Sequence, residues 1–291
     1  MKKKKNSNFL IMTCLALLPS IATQVIANDG IAFIHGTGKQ TDAYNDYWNP
    51  NFVNTIRSGL TDNSRYTVIN CDFDQFMWDD QAAGCLAEQL TNFINHKQIS
   101  RLTMITHSNG GNVVRWILSN PTYDSRYPNI INKTAKVIAI APSSAGTPLA
   151  DAVKQGNVFE TSLGWLLGYD SDAVTQQQVS WMNYYNQNWL HGTNGRPSLP
   201  ATFKTIVGSD VDSAFWDGDS YCAGYQYQVA LETTQNWLDS CSDGFLNCSS
   251  QQAAGVTWFK DKQRTRGSEP LSHQQSRRDC FNLHTIIRDD I

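Results

Sequence analysis

The sequence has no complete phosphate-binding loop, no C-x-x-C pair, no basic surplus and only one long apolar run, and each absence closes a class of function. Closest to a phosphate loop is IAFIHGTGKQT, residues 31 to 41. A nucleotide loop needs G-x-x-x-x-G-K followed by Ser or Thr. Phe33 stands where the first glycine belongs, and Gln40 stands where a hydroxyl must reach a magnesium ion. The glycines after this apolar stretch therefore serve another purpose. The missing C-x-x-C spacing speaks against zinc-ribbon and redox chemistry. The formal charge of −3 argues against nucleic acid, whose phosphates demand a basic surface. There is no internal repeat, low-complexity tract or interdomain linker, and the length of 291 residues suits one large α/β domain.

What is present begins with MKKKKNSNFLIMTCLALLPSIATQVIANDG. Lys2–Lys5 form a basic region, and Phe9–Ile21 an apolar core too short to span a bilayer comfortably. Residues 1–27 read as a secretory signal peptide cleaved after Ala27, with Ala22 as the second candidate and an uncleaved anchor as the alternative. Ile11-Met12-Thr13 before Cys14 makes a poor lipoprotein box. The mature chain, residues 28–291, keeps 19 basic residues against 26 acidic ones, a formal charge of −7. That balance also opposes tight docking on anionic lipid. The expectation is a secreted or periplasmic protein with no stable membrane insertion after cleavage. Six cysteines remain, at 71, 85, 222, 241, 248 and 280, an even number that in an exported chain suggests disulfides.

Short apolar runs alternate with helical patterns. Ile31–Ile34, Tyr66–Asn70, Leu102–Thr106, Val137–Ala141 and Phe203–Val207 read as buried strands. Gln81–His96 and Asn112–Leu118 carry apolar residues at helical spacing. Such alternation predicts a mostly parallel sheet covered on both faces, with its functional site at the carboxyl ends of the strands. Residues 156 to 200, rich in Trp and Tyr, read as a helical insertion over the sheet, a cap or lid; filling a small core of their own is the plainer use for most of those aromatics.

The stretch LTMITHSNGGNVVRWIL, residues 102 to 118, runs a strand into His107-Ser108-Asn109-Gly110-Gly111 and then a helix. A serine at a sharp strand-to-helix turn is lifted clear of the backbone, at the positive end of the helix, as in the nucleophile elbow G-x-S-x-G. Thr106 occupies the first glycine position, a departure that crowds the turn. A serine nucleophile generates an oxyanion, which two backbone N–H groups must stabilise. Asn109, following the serine, supplies one. The His35-Gly36-Thr37-Gly38 loop supplies the other, best from Thr37, and this is what its glycines are for.

At this point the chain resembles the bacterial secreted lipases and esterases of the α/β-hydrolase fold. The likeness rests on FIHGTG, THSNGG, APSSAGTPLAD (residues 141 to 151) and SDGFLNCSSQQAAG (residues 242 to 255), in that order. It implies an α/β-hydrolase fold with a helical cap or lid, and a triad in the order Ser, Asp, His. Asp243 matches the family's acid block, while Asp210 and Asp212 rival it by following the Phe203–Val207 strand. Among six histidines, His35 and His107 sit in the oxyanion loop and the elbow, His96 ends a helix and His191 precedes the expected acid. His273, in the polar loop PLSHQQSRRDC, is preferred as the base over His284 in FNLHTIIRDD.

The function expected is hydrolysis of carboxylic esters through Ser108, His273 and Asp243, by way of an acyl-enzyme. Its substrate would be an ester or lipid. Acyl transfer by the same triad and an exported binding protein on a dead hydrolase fold are the alternatives. The chemistry needs no cofactor. The resemblance allows a structural calcium ion, for which no acidic cluster is clear enough to assign. Cys71 with Cys85 would flank the turn into the Gln81–His96 helix. Cys222 with Cys241 and Cys248 with Cys280 would brace the loops carrying acid and base.

Overall fold

The computed structural model describes residues 27–156, 171–260, 265–266 and 269–291. The expected signal peptide, Ala27 apart, and the 157–170 part of the expected cap lie outside them.

Six strands form one sheet: β1 (Asp29–Ile34), β2 (Tyr66–Val68), β3 (Arg101–His107), β4 (Thr134–Ile140), β5 (Thr202–Ile206) and β6 (Val256–Phe259). Their order is β2-β1-β3-β4-β5-β6, and every pairing is parallel. Alternation along the strands feeds two cores. Ala32, Ile34, Met104, Val137 and Phe203 pack on one face against α2 (Cys85–His96), α3 (Gly110–Ser119) and α4 (Tyr127–Lys133). Ile31, Phe33, Ile105, Ile138 and Ile206 pack on the other against α1 (Pro50–Arg57) and the C-terminal helix Leu283–Arg288. Both faces of the central strands are buried, which is why they appear in the sequence as unbroken apolar runs. Each such Ile or Phe side chain contributes roughly 1.5–3 kcal/mol by leaving water.

The chain runs from β1 outward to β2, then crosses back to place β3 on the other side of β1. The sheet therefore changes winding direction between β1 and β3. The loop after β1 and the turn after β3 part there and leave a crevice at the carboxyl ends.

Four of the five expected strands agree with the sequence reading within two residues at either end, β2 stopping at Val68 rather than Asn70; the exception is β4, which begins at Thr134, three residues before the expected Val137. β6 was not anticipated: Val256 and Thr257 are exposed on the sheet edge, so no continuous apolar run marks it. The Gln81–His96 helix is present, entered through a wide turn at Asp80–Gly84. Between β4 and β5, α5 (Pro148–Lys154) and the helices Asp172–Gln176 and Val179–Asn188 pack on one another. The last is tied to α3 by Arg115, which donates to the His191 carbonyl at 2.8 Å and to Asn186 Oδ1 at 2.9 Å.

Three disulfides are formed. Cys71–Cys85 agrees with expectation, but the other two pairs are Cys222–Cys280 and Cys241–Cys248. The expected Cys222–Cys241 and Cys248–Cys280 pairing is thereby corrected. Cys241 and Cys248 close the tight turn around Asp243, where the Cys248 N–H donates to the Cys241 carbonyl at 2.8 Å. That leaves Cys222, on the loop before the helix Tyr225–Gln235, to reach Cys280. Among the described residues no helix is long and apolar enough to cross a membrane.

Candidate active site

Ser108 follows the last residue of β3 with φ at +52°, a conformation that a residue with a side chain adopts at some cost. The strain is held by its surroundings. The Ser108 N–H donates to the Ile140 carbonyl on β4 at 3.0 Å, and α3 begins two residues later. The turn is sharp enough that a Cβ on Gly110 would lie 2.1 Å from the His35 carbonyl oxygen. A Cβ on Gly36 would come within 2.5 Å of the Tyr47 hydroxyl and 2.9 Å of Ser108 Cβ. Both glycines are there because the β1 loop and the elbow press together. Thr106, the departure from the elbow pattern, fits because it faces Gly111: the Thr106 Oγ1 atom lies 3.4 Å from where a Cβ would stand.

Asp243 is fully buried in the turn after the helix Tyr225–Gln235. Its Oδ1 accepts from the N–H groups of Phe245 at 2.9 Å and Leu246 at 2.7 Å. Its Oδ2 accepts from His273 Nδ1 at 2.7 Å, and the His273 N–H donates to the Asp243 carbonyl at 2.9 Å. The imidazole is thus fixed at its ring and its backbone, with Nε2 left to act as an acceptor. Ser108, His273, Thr37 and Phe245 line one cavity of about 230 Å³, together with Tyr47, Arg277 and other polar residues. Asn109 is buried behind it as the first residue of the elbow's helical turn.

The rival residues are used elsewhere. Asp210 Oδ1 accepts from its neighbour Val211 N–H and from Gln235 Nε2, and Asp212 caps the N–H of Ala214. His284 lies against Phe52 on the C-terminal helix and does not line the cavity. His35 accepts at Nε2 from the Cys71 N–H at 3.3 Å and stacks on Phe73; burial, with a smaller contribution from Arg277, pushes its pKa down to about 4.

His107 is buried and neutral. Burial drives its pKa well down, and the nearby His273 and Arg277 add to this. Its Nδ1 lies 2.5 Å from the Tyr47 hydroxyl and its Nε2 3.0 Å from the His273 carbonyl. A carbonyl can only accept, so Nε2 carries the proton and Nδ1 accepts from Tyr47. The residue before the serine thus holds the backbone of His273. Neither Tyr47 nor Arg277 was singled out from sequence. Both lie outside any motif, and only the fold brings them to the cavity.

No protein-family model and no curated protein matches the chain. Solved structures do. The mature form of lipase BlEst2 from Bacillus licheniformis is similar over 90% of this chain and 90% of its own, with a TM-score of 0.62 at 18% identity. The metagenomic carboxyl esterase MGS0156 is similar over 91% of this chain and 77% of its own, with a TM-score of 0.53 at 13% identity. With the parallel six-stranded sheet, these likenesses define the class: the chain has the α/β-hydrolase fold. No group of three or more His, Cys, Asp or Glu side chains converges as a metal site among the described residues.

Proposed function

We propose that the protein is a serine hydrolase of carboxylic esters. The observation that carries this reading is the buried Asp243–His273 pair opening on the same cavity as Ser108. Ser108 Oγ attacks the ester carbonyl while His273 Nε2 takes its proton. Asp243 holds the imidazole in that tautomer and stabilises the imidazolium. The N–H groups of Thr37 and Asn109 receive the oxyanion. His273 then returns the proton to the departing alcohol, and water releases the acid from the acyl-enzyme by the same steps reversed. The two neighbouring structures, by their names a lipase and a carboxyl esterase, support the choice of ester over amide. The segment of about 156–200 is read as the cap, and the helices Asp172–Gln176 and Val179–Asn188 belong to it. Export to an oxidising compartment, secreted or periplasmic, accords with three disulfides.

The test is a fluorophosphonate label with peptide mapping, alongside turnover of p-nitrophenyl esters of increasing chain length. Label on Ser108, and its loss together with turnover in Ser108→Ala, is the expected result. A stable Ser108→Ala variant that still hydrolyses esters at the wild-type rate would overturn the reading.

A further inference from the structure

Two arginines are buried in this protein without a carboxylate partner among the described residues, and they differ in one respect. Arg115, behind the elbow, spends its guanidinium on protein acceptors. Nε and Nη2 donate to the His191 carbonyl, Nη2 to Asn186 Oδ1, and Nη1 to Ser144 O and Asn112 Oδ1. It is a structural cation. Arg277 lines the cavity of Ser108 and His273 and is only 8% exposed. Its Nε donates to Gln274 Oε1 at 2.6 Å, its Nη1 donates to the Tyr47 carbonyl, and its guanidinium lies 4.0 Å over the Tyr47 ring. Nη2 has no protein acceptor among the described residues.

The charge balance around Arg277 is one-sided. Arg278 donates to the same Tyr47 carbonyl, so two guanidinium groups converge on one oxygen. Burial lowers the Arg277 pKa to about 10, which leaves it cationic at neutral pH. Tyr47 and Tyr227 favour its charge and Arg278 opposes it, and no Asp or Glu takes part. Asp46 lines the same cavity but forms no ion pair with it. A desolvated cation held rigidly on one side and open on the other gains most from an anion that brings its own charge. The planar fork offers two parallel N–H groups to a carboxylate or a phosphate. The rest of the wall is polar as well: Thr37, Gln40 and Gln274 line it, and among the described residues Phe245 is its one hydrocarbon side chain.

We propose that Arg277 forms an anion subsite of the catalytic cavity, so that the preferred ester carries a carboxylate or phosphate close to the scissile bond. This rests on the serine-hydrolase reading above.

Two matched pairs of esters test it at constant ionic strength: 4-acetoxybenzoate against 4-acetoxybenzamide, and dibutyrylglycerol phosphate against dibutyrylglycerol. The expected result is a kcat/KM at least tenfold higher for the anionic member of one pair, and that pair distinguishes a carboxylate from a phosphate ligand. In Arg277→Gln this ratio should fall at least tenfold, chiefly through KM, while Arg277→Lys should keep part of it. A wild-type ratio near one in both pairs, or an undiminished ratio in a folded Arg277→Gln, overturns the proposal. Should Arg277→Gln fail to fold by circular dichroism, the wild-type protein decides. Competitive inhibition of 4-acetoxybenzamide hydrolysis by acetate or inorganic phosphate, and not by acetamide, supports the subsite; no such inhibition rejects it. Turnover of the neutral esters by Ser108→Ala would instead reject the hydrolase reading, which keeps the two failures apart.

Discussion

Gln177 Nε2 donates to Thr37 Oγ1 at 3.0 Å, across 140 positions of sequence. Its neighbour Gln176 does the same for Asn109, donating to Oδ1 at 2.9 Å while accepting from the Met77 N–H at 2.8 Å. Both glutamines are fully buried. One dipeptide at the end of the helix Asp172–Gln176 therefore grips the two residues whose N–H groups are proposed to receive the oxyanion. The Gln177 carbonyl in turn accepts from the Thr147 N–H at 2.8 Å, which fixes the dipeptide to the start of α5.

Losing an oxyanion donor outright costs about 2.7–4 kcal/mol of barrier. Loosening one costs less, so Gln177→Leu and Gln176→Leu should each lower kcat about tenfold, near 1.4 kcal/mol, with KM changing less. Affinity for a boronic acid, which occupies the same donors as a tetrahedral adduct, should fall in parallel. A folded Gln177→Leu with unchanged kcat and unchanged boronate affinity would show that the dipeptide supports the fold without touching the chemistry.

The buried histidines set a pH dependence of stability. His35 falls to about 4 and His107 well below its ordinary value of 6.5, both chiefly by burial. In the unfolded chain each titrates near 6.5, so below that pH the unfolded state binds more protons and stability falls. Each group contributes a loss of up to about 1.4 kcal/mol per pH unit. The window runs from 6.5 down to about 4 for His35, and for His107 it likewise opens downward from 6.5. Denaturant midpoints should therefore drop steadily between pH 6.5 and 4.5, before most carboxylates protonate. A flat or rising midpoint over that interval would contradict neutral, buried imidazoles at these positions.

How much of this was legible in the sequence follows from where the contacts are. The central strands buried on both faces announced themselves, whereas the exposed Val256 and Thr257 left edge strand β6 without a signal. Ser108 and the Thr37 loop were legible because the turn geometry is local and leaves glycines behind. Asp243 and His273, paired on motif and loop context, are hydrogen-bonded. Tyr47, Arg277, Gln176 and Gln177 were not found. Each is a polar residue whose burial is decided by partners elsewhere in the chain, and no short pattern records that. The disulfides divide on the same line: the Cys71–Cys85 turn was read locally, while Cys222 meets Cys280, 58 positions away, only through the tertiary fold.

That pairing makes a mapping prediction. Proteolysis without reduction should recover a fragment linking Cys222 to Cys280 and one linking Cys241 to Cys248. The second bridge closes a short loop around Asp243, and a loop of this size is worth about 2–3 kcal/mol in the chain-entropy account. Cys241→Ser with Cys248→Ser should lower stability by that order and reduce kcat by loosening the acid. Recovery of Cys222 linked to Cys241 would reject the observed connectivity.

The last prediction concerns which histidine moves the proton. His273 Nδ1 is 2.7 Å from Asp243 Oδ2, while His284 lies on the C-terminal helix beside Phe52, away from the cavity. If His273 is the base, His273→Ala should lose several orders of magnitude in kcat/KM on one soluble ester, as loss of a triad member does. Asp243→Asn should leave the fold intact and cost about 10⁴ in kcat, because an amide no longer selects the tautomer that frees Nε2. The control is His284→Ala, which removes a half-buried ring and should stay within about tenfold. Asp210→Asn should behave like the control, since among the described residues its carboxylate holds only Gln235 and a neighbouring N–H. A dead His284→Ala beside an active His273→Ala would assign the base wrongly here, and Asp243 would then have to be a structural acid that merely orients the His273 loop.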